Sequence, residues 1–152
     1  MTDVFNNFDK RDFARPGRSN ALSSNAMLAS SHPIASSVGI EILKSGGNAV
    51  DAAIAMNAVL CIAEPHMTGV GGDCFVMLSV DGSTNIKALN GSGKSSSNAK
   101  ASDLRKNKLS VITPEMPDAI TIPGAVAAWT LLHKHYGYMP WQELFAPAIN
   151  YA

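Results

Sequence analysis

The pattern of apolar and polar positions is clearest in a stretch that begins at Pro33. Ile34, Val38 and Ile42 recur at four-residue spacing, and the opposite face of the same helical projection is polar. Proline suits the first turn of a helix, and Gly46-Gly47 is typical of a helix C-terminus. The pattern therefore predicts an amphipathic helix that begins at Pro33 and stops at this glycine pair.

A second helix is predicted from Ala49 to Ala63, and its pattern differs from that of the first. Asn48 can cap it, and Asp51 lies in its first turn, where the helix dipole favours an anion. The remaining positions are apolar on nearly every face. Because a helix that is apolar all round is buried all round, we expect this helix to lie at the centre of the fold.

A β-hairpin is predicted directly after this helix. A glycine-rich turn, residues 68–72, leads into an apolar strand from Cys74 to Val80. Asp81-Gly82-Ser83 indicates a hairpin turn, and Asn85 to Leu89 is the returning strand. A short apolar stretch, Asn25 to Ser30, can add a strand before the first helix. The mixture predicts an α+β fold in which a helical hairpin covers a sheet.

Two further helices are predicted in the C-terminal third. The stretch from Thr113 to Pro123 contains three prolines and is expected to be extended or turning. Ala125 to Tyr136 carries an apolar stripe, and Gly137 ends this helix. Another helix begins at Met139-Pro140-Trp141 and continues to Ala152 with no stop signal, so we expect the chain to end inside an element.

Composition and charge exclude several classes of protein. The chain has 152 residues, about one domain, with 12 basic and 12 acidic residues, which gives no general attraction to nucleic acid or acidic membranes. Residues 1–20 are charged and lack the apolar core of a secretory signal. The predicted helix from Ala49 to Ala63 is too short to span a membrane. We therefore predict a soluble cytoplasmic protein.

The residues alone predict neither a cofactor nor a metal site. The histidines form no cluster with Asp or Glu at the spacing of metal ligands. The glycine-rich turn follows a helix and precedes a strand, which is the reverse of the order in phosphate-binding loops. Cys61 and Cys74 lie in apolar surroundings and are predicted to be buried free thiols.

The candidate binding segment is the polar loop from Asn90 to Asn98, directly after a predicted strand, where binding residues tend to lie. Six basic residues and one acidic residue, Asp103, lie between Lys87 and Lys108. A solvated surface segment and a basic loop beside an anionic substrate both explain this run. The residues by themselves leave the two alternatives open.

Five sequence motifs follow one another along the chain without large gaps. They are Ala29-Ser-Ser-His-Pro-Ile-Ala-Ser, Ile42-Leu-Lys-Ser-Gly-Gly-Asn-Ala-Val-Asp-Ala-Ala, Glu64-Pro-His-Met-Thr-Gly-Val-Gly-Gly-Asp, Ile122-Pro-Gly-Ala-Val-Ala-Ala-Trp and Tyr136-Gly-Tyr-Met-Pro-Trp-Gln-Glu-Leu-Phe-Ala-Pro-Ala-Ile. Together they resemble the gamma-glutamyltranspeptidase family. The resemblance implies the N-terminal-nucleophile hydrolase fold, an αββα sandwich, with only its amino-terminal portion present. Residues 1–25 are then an irregular N-terminal arm, and residues 26–152 belong to the large subunit, truncated at its C-terminus.

The resemblance also implies a reaction. The family's precursor cleaves itself, and the new N-terminal threonine of the small subunit attacks a gamma-glutamyl amide, with its own α-amino group as the base. No threonine of this chain lies in a matching context. We therefore predict that the chain holds no catalytic residue and is inactive alone. Its implied partners are a small-molecule or peptide gamma-glutamyl substrate and the missing C-terminal, small-subunit portion.

One departure from the family concerns the loop that holds the substrate. The family's Asp-Gly-Arg-Glu loop, whose arginine pairs with the substrate's α-carboxylate, here reads Asn90-Gly-Ser-Gly-Lys. Ser92 stands where that arginine would, and Lys94, two places later, can take its role as a point charge without the bidentate fork. Ser92 and Lys94 are thus the predicted substrate-binding residues.

The resulting hypothesis is an amino-terminal segment of a gamma-glutamyl hydrolase or transferase acting on glutathione-like amides. Two alternatives remain open at this point. One is a segment of a related acylase that cleaves dicarboxylic-acyl amides, and the other is a non-catalytic remnant that binds without reacting.

Overall fold

The computed structural model of the chain describes residues 20–108 and 110–152. Its helices and strands are α1 (Pro33–Lys44), α2 (Ala49–Ala63), β1 (Cys74–Leu78), β2 (Lys87–Gly91), α3 (Ala101–Lys106), α4 (Ala125–Tyr136) and α5 (Trp141–Tyr151). One turn of 3-10 helix, Pro117–Ala119, lies in the proline-rich stretch before α4. Part of the predicted N-terminal arm, residues 1–19, lies outside the described residues, and a domain boundary at residue 25 stays a prediction.

Both helices of the predicted N-terminal hairpin are confirmed. α1 begins at Pro33, where the Nδ1 atom of His32 accepts a hydrogen bond from the backbone N–H of Ile34 at 3.3 Å. α1 is followed by Gly46, whose φ of 96° is in the left-handed region. α2 begins with a capping box, because the Asn48 side chain accepts from the N–H of Asp51 while the Asp51 carboxylate accepts from the N–H of Asn48.

These two helices are less buried than the sequence predicted. Ile34 is 37% exposed, so the buried stripe of α1 follows Ala35, Val38 and Ile42 instead. In α2, Ala55 is fully buried but Ala53 is exposed, and Ile62 near the C-terminal end is 41% exposed. The prediction that α2 is buried on every face is therefore wrong, because one side of it borders open cavities among the described residues.

The β-hairpin forms, with boundaries that differ from the predicted ones. β1 and β2 pair antiparallel, with Cys74 opposite Gly91 and Leu78 opposite Lys87. β1 therefore ends two residues earlier than expected, and β2 lies two residues further along the chain. The predicted turn forms within the connection, since the Ser83 N–H donates to the Val80 carbonyl at 2.9 Å across Asp81 and Gly82, which both have positive φ. The predicted strand from Asn25 to Ser30 is wrong, because these residues form no regular element.

The core lies where α1, α2, α4 and α5 meet one face of the hairpin. The largest of its fully buried apolar side chains are Val38, Ile54, Val59 and Leu144, each with at most 1% of its surface exposed. β1 faces this core with every second residue, Cys74, Val76 and Leu78, in the alternation expected of a half-buried strand. The residues between them point the other way, so Phe75 and Met77 are 71% and 80% exposed.

α4 and α5 match the predicted helices, whereas α3 was not predicted. The predicted stripe of α4 is buried at Ala125, Ala128, Trp129 and Leu132. α3 has six residues and buries none of them, so it carries no amphipathic repeat that a sequence pattern could reveal. Among the described helices, none is both long and apolar enough to cross a membrane.

Candidate functional site

The predicted binding loop begins at the end of β2. Pairing of Gly91 with Cys74 places residues 90–94 beside Asp73, the residue that immediately precedes β1. The loop turns at Asn90, whose side-chain Oδ1 accepts hydrogen bonds from the N–H of Ser92 at 3.0 Å and from its hydroxyl at 2.8 Å. This is an Asx-type turn, which turns the chain just as β2 ends at Gly91.

Glycines allow the binding loop to pack backbone against backbone. A Cβ atom on Gly93 would overlap the carbonyl of Ile122, and one on Gly124 would overlap the carbonyl of Gly91. Neither glycine has a positive φ, so close approach rather than a left-handed turn requires them. The glycines of the Asn-Gly-Ser-Gly-Lys and Ile-Pro-Gly motifs thus serve one contact, between the binding loop and the segment that leads into α4.

Hydrogen bonds from three segments converge at this contact. The Asp73 Oδ1 atom accepts from the N–H of Gly93 and from the hydroxyl of Thr121, each at 3.0 Å. The Ile122 N–H donates to the carbonyl of Lys94 at 2.9 Å. The Gly72 carbonyl accepts from the first backbone N–H groups of the α4 region, those of residues 124 and 125, at 3.0 and 2.9 Å.

The two predicted binding residues, Ser92 and Lys94, are both exposed and lie on this anchored loop. Ser92 is held by Asn90, and the backbone of Lys94 is held by Ile122. Their exposure leaves the Ser92 hydroxyl and the Lys94 ammonium accessible to a ligand. Their role toward a substrate stays a prediction.

Sequence reasoning missed Asp73 and Thr121, which hold the loop in place. In the sequence, Asp73 is only the last residue of a motif, and Thr121 is only part of a proline-rich stretch. A signal for Asp73 does exist, because an acidic residue stands between a glycine-rich turn and an apolar strand. No local pattern indicates Thr121, which is 48 residues away from its partner.

A cavity of about 370 Å³ lies next to Asp73, along the edge of β1. Its lining is mostly apolar and includes Ile54 and Cys61 of α2, Trp129 of α4 and Cys74 of β1. Within the described residues, the buried Nε1 atom of Trp129 has no hydrogen-bond partner of ordinary geometry. Its weak interaction with the Cys74 sulfur lowers the pKa of that thiol less than burial raises it.

Both cysteines are free, as the sequence predicted, but they are half-buried and not fully buried. Burial also raises the pKa of the Cys61 thiol, and a backbone hydrogen bond opposes this only partly. Each thiol is therefore held in its neutral form, which is the opposite of what a nucleophilic cysteine needs. The cavity has the chemistry of an apolar packing surface and not that of a cysteine active site.

Two of the histidines, His32 and His133, make structural hydrogen bonds. His32 caps α1, and the Nε2 atom of His133 lies 2.8 Å from the carbonyl of Met139. Across residues 20–108 and 110–152, no group of three or more His, Cys, Asp or Glu side chains is placed to hold a metal ion. The polar groups of the described site are backbone groups, the hydroxyls of Ser92 and Thr121, the amide of Asn90, the carboxylate of Asp73 and the amine of Lys94.

Comparison with known proteins identifies the family to which this loop and fold belong. The chain is 37% identical to the cephalosporin acylase of Bacillus halodurans, with a TM-score of 0.79 over 95% of this chain and 27% of that one. It is 32% identical to the gamma-glutamyltranspeptidase of Pseudomonas nitroreducens, with a TM-score of 0.75 over 86% of this chain and 39% of that one. These neighbours confirm the N-terminal-nucleophile hydrolase class that the resemblance implied.

The sequence comparisons define one family within this class. The gamma-glutamyltranspeptidase family model matches residues 35–152. The chain is also 40% identical, over 83% of its length, to the glutathione hydrolase-like YwrD proenzyme of Bacillus subtilis. The chain belongs to the gamma-glutamyltranspeptidase family. It spans about a quarter of the length of this curated relative, 24%.

Proposed function

We propose that this chain is the amino-terminal large-subunit segment of a gamma-glutamyl hydrolase or transferase that acts on glutathione-like amides. The observation that carries the proposal is the loop at residues 90–94. The resemblance relates this loop to the family's carboxylate-binding loop, and hydrogen bonds from Asp73 and Ile122 anchor its backbone at Gly93 and Lys94. In this role the segment supplies the scaffold and one wall of the donor pocket.

Within that wall, Lys94 supplies a positive charge for the donor's α-carboxylate, and Ser92 supplies a hydroxyl beside it. A charge-assisted hydrogen bond to a carboxylate is shorter and stronger than a neutral one. Because a lysine ammonium has no planar fork, it orients the carboxylate less strictly than an arginine would. The pocket therefore accepts the donor's charge with a looser geometry.

The covalent step needs groups that this segment does not supply. In the proposed mechanism an N-terminal threonine, from the remainder of a family protein, attacks the amide carbon, and its α-amino group takes up the hydroxyl proton. The amine leaves with a proton, and the acyl-enzyme then passes to water or to an acceptor amine. Because no threonine of the sequence lies in a context that matches the family's nucleophile, we expect the segment to be inactive alone.

A chimera tests the proposal directly. Residues 26–152 replace the corresponding segment of the Pseudomonas nitroreducens gamma-glutamyltranspeptidase, which has a solved structure similar to this chain. We expect the chimera to cleave itself into two subunits and to release a chromogenic amine from a gamma-glutamyl anilide, whereas the 152-residue chain alone releases none. The intact host enzyme is the positive control.

The acylase alternative is tested in the same assay, because one solved neighbour is named a cephalosporin acylase. A glutaryl anilide differs from the gamma-glutamyl anilide by lacking the α-amino group. A chimera that cleaves itself but prefers the glutaryl substrate would support the acylase alternative. A chimera that matures and hydrolyses neither anilide would contradict both enzymatic proposals and favour a non-catalytic remnant.

A further inference from the structure

We infer that Asp73 is the positioning residue of the 90–94 loop, and that its carboxylate sets where Ser92 and Lys94 stand. One oxygen, Oδ1, accepts both the Gly93 N–H and the Thr121 hydroxyl at 3.0 Å. Asp73 thereby links the start of β1, the loop after β2 and the segment before α4. The consequence for catalysis rests on the proposed function, but the positioning itself does not.

The geometry places the Asp73 bond between the two predicted binding residues. Gly91, on one side of Ser92, is fixed by the strand pairing opposite Cys74. Gly93, on the other side, is fixed by Asp73, and it is also the residue immediately before Lys94. Without the Asp73 bond, the Asn90 side chain alone, among the described residues, would hold the loop between Gly91 and the bond from Ile122 to the Lys94 carbonyl.

Asp73 differs from the other bonds at this contact in its chemistry. Within the described residues, the remaining hydrogen bonds that join these segments run between backbone atoms, and a side-chain substitution other than proline does not remove them. An ionised carboxylate accepts a stronger hydrogen bond from a backbone N–H than a carbonyl does. A substitution at Asp73 can therefore change the position of the loop while Ser92 and Lys94 themselves stay the same.

The role is one of positioning because Asp73 is exposed and belongs to no part of the apolar core. Its removal leaves no cavity in the core, so the fold should lose little stability. The loop, by contrast, loses the acceptor that its Gly93 amide and the Thr121 hydroxyl share. Substitution of a residue needed only for folding would instead cause a large loss of stability and leave the loop conformation unchanged.

The first experiment measures the loop in the 152-residue chain itself. Amide hydrogen exchange is followed by NMR in the wild type and in Asp73→Ala, Asp73→Asn, Thr121→Val and Asp103→Ala. We expect Asp73→Ala to lower the protection of the Gly93 amide by at least about tenfold, since its hydrogen bond is lost. The Ala125 amide, which donates to the Gly72 carbonyl, should keep its protection.

The other variants separate charge from hydrogen bonding. Asp73→Asn keeps an acceptor oxygen and should restore most of the Gly93 protection. Thr121→Val removes one donor to the same oxygen and should disturb the loop less than Asp73→Ala does. Asp103→Ala makes the same change in charge at an exposed carboxylate on α3 and should leave Gly93 unchanged. Unchanged Gly93 protection in Asp73→Ala would overturn the inference.

The second experiment asks whether positioning matters for the donor. In the chimera, Asp73→Ala should lower kcat/KM for the gamma-glutamyl anilide by about tenfold or more, while self-cleavage and the melting temperature stay near those of the unsubstituted chimera. Asp73→Asn should recover most of the loss. An inactive unsubstituted chimera would refute the proposed function while the Gly93 result still stands. An active chimera that Asp73→Ala leaves unaffected would overturn the inferred role.

Discussion

The carboxylate of Asp51 accepts a hydrogen bond from the backbone N–H of Tyr138 at 3.0 Å, across 87 positions of sequence. The same carboxylate accepts from the N–H groups of Asn48 and Met139 at 2.9 and 3.3 Å. Asp51 has no exposed surface, so these N–H groups satisfy a carboxylate that water does not reach. One residue thus caps α2 and ties it to the turn between α4 and α5.

This arrangement makes Asp51 a sensitive position for stability. Asp51→Ala should lower the free energy of unfolding by about 2–4 kcal/mol, because backbone N–H groups lose their acceptor in a buried place. Asp51→Asn keeps one oxygen and should cost less. Urea denaturation followed by circular dichroism measures both. A loss in Asp51→Ala no larger than that of the exposed control Asp103→Ala would contradict the role.

Overpacking separates two neighbouring alanines of α2. Ala55 is completely buried, and Ala55→Leu should cost about 1–3 kcal/mol because the core has no room for the added atoms. Ala53 is exposed and borders the cavity beside β1, so Ala53→Leu should cost much less. Thermal unfolding of the two variants gives the comparison. Equal losses would show that the two faces of α2 are packed alike.

A substitution at Lys94 tests the predicted charge in the donor pocket. In the chimera, Lys94→Ala should lower kcat/KM for the gamma-glutamyl donor roughly ten- to a hundredfold, as expected for a lost charge-assisted contact of about 1.5–3 kcal/mol. The dependence of the rate on the acceptor amine should not change. Lys100→Ala, at another exposed lysine of the same basic run, is the control. An unaltered donor value would show that Lys94 is a solvated surface charge.

The thiols predict a dependence of stability on alkaline pH. Burial raises the pKa of both Cys61 and Cys74, so the folded chain holds these protons more tightly than the unfolded chain does. This contribution to stability is fully present below the ordinary thiol pKa of about 8.5, and it is lost as pH rises through the raised values.

The measurement is the urea midpoint at several pH values from neutral to alkaline. The midpoint of the wild type should fall more steeply than that of a variant in which both cysteines are alanine. Iodoacetamide should also modify the folded chain more slowly than the urea-unfolded chain, since the thiolate is the reactive form. Identical pH profiles in the two proteins would contradict the prediction.

Local sequence patterns determined the helices α1, α2, α4 and α5, but not the short helix α3. The starts of α1 and α2 follow from Pro33 and from the Asn48 and Asp51 pair, and α4 ends at Gly137. These signals work because the hydrogen bonds of a helix close within a few residues, so the sequence that decides them is local. The same locality explains the two-residue error in both strands, whose register depends on pairing and on the turn between them.

The position of the loop at residues 90–94, a polar segment after a strand, was also predicted from the sequence, and its binding role stays a prediction. Its anchoring was decided only by tertiary structure. Asp73 meets Gly93 across 20 positions and Thr121 across 48, and Asp51 reaches Tyr138 across 87. Contacts at such separations exist only after α2, α4 and the hairpin have packed together, because burial of the shared core brings these segments within hydrogen-bonding distance. No periodic pattern along the chain predicts that these residues lie within hydrogen-bonding distance.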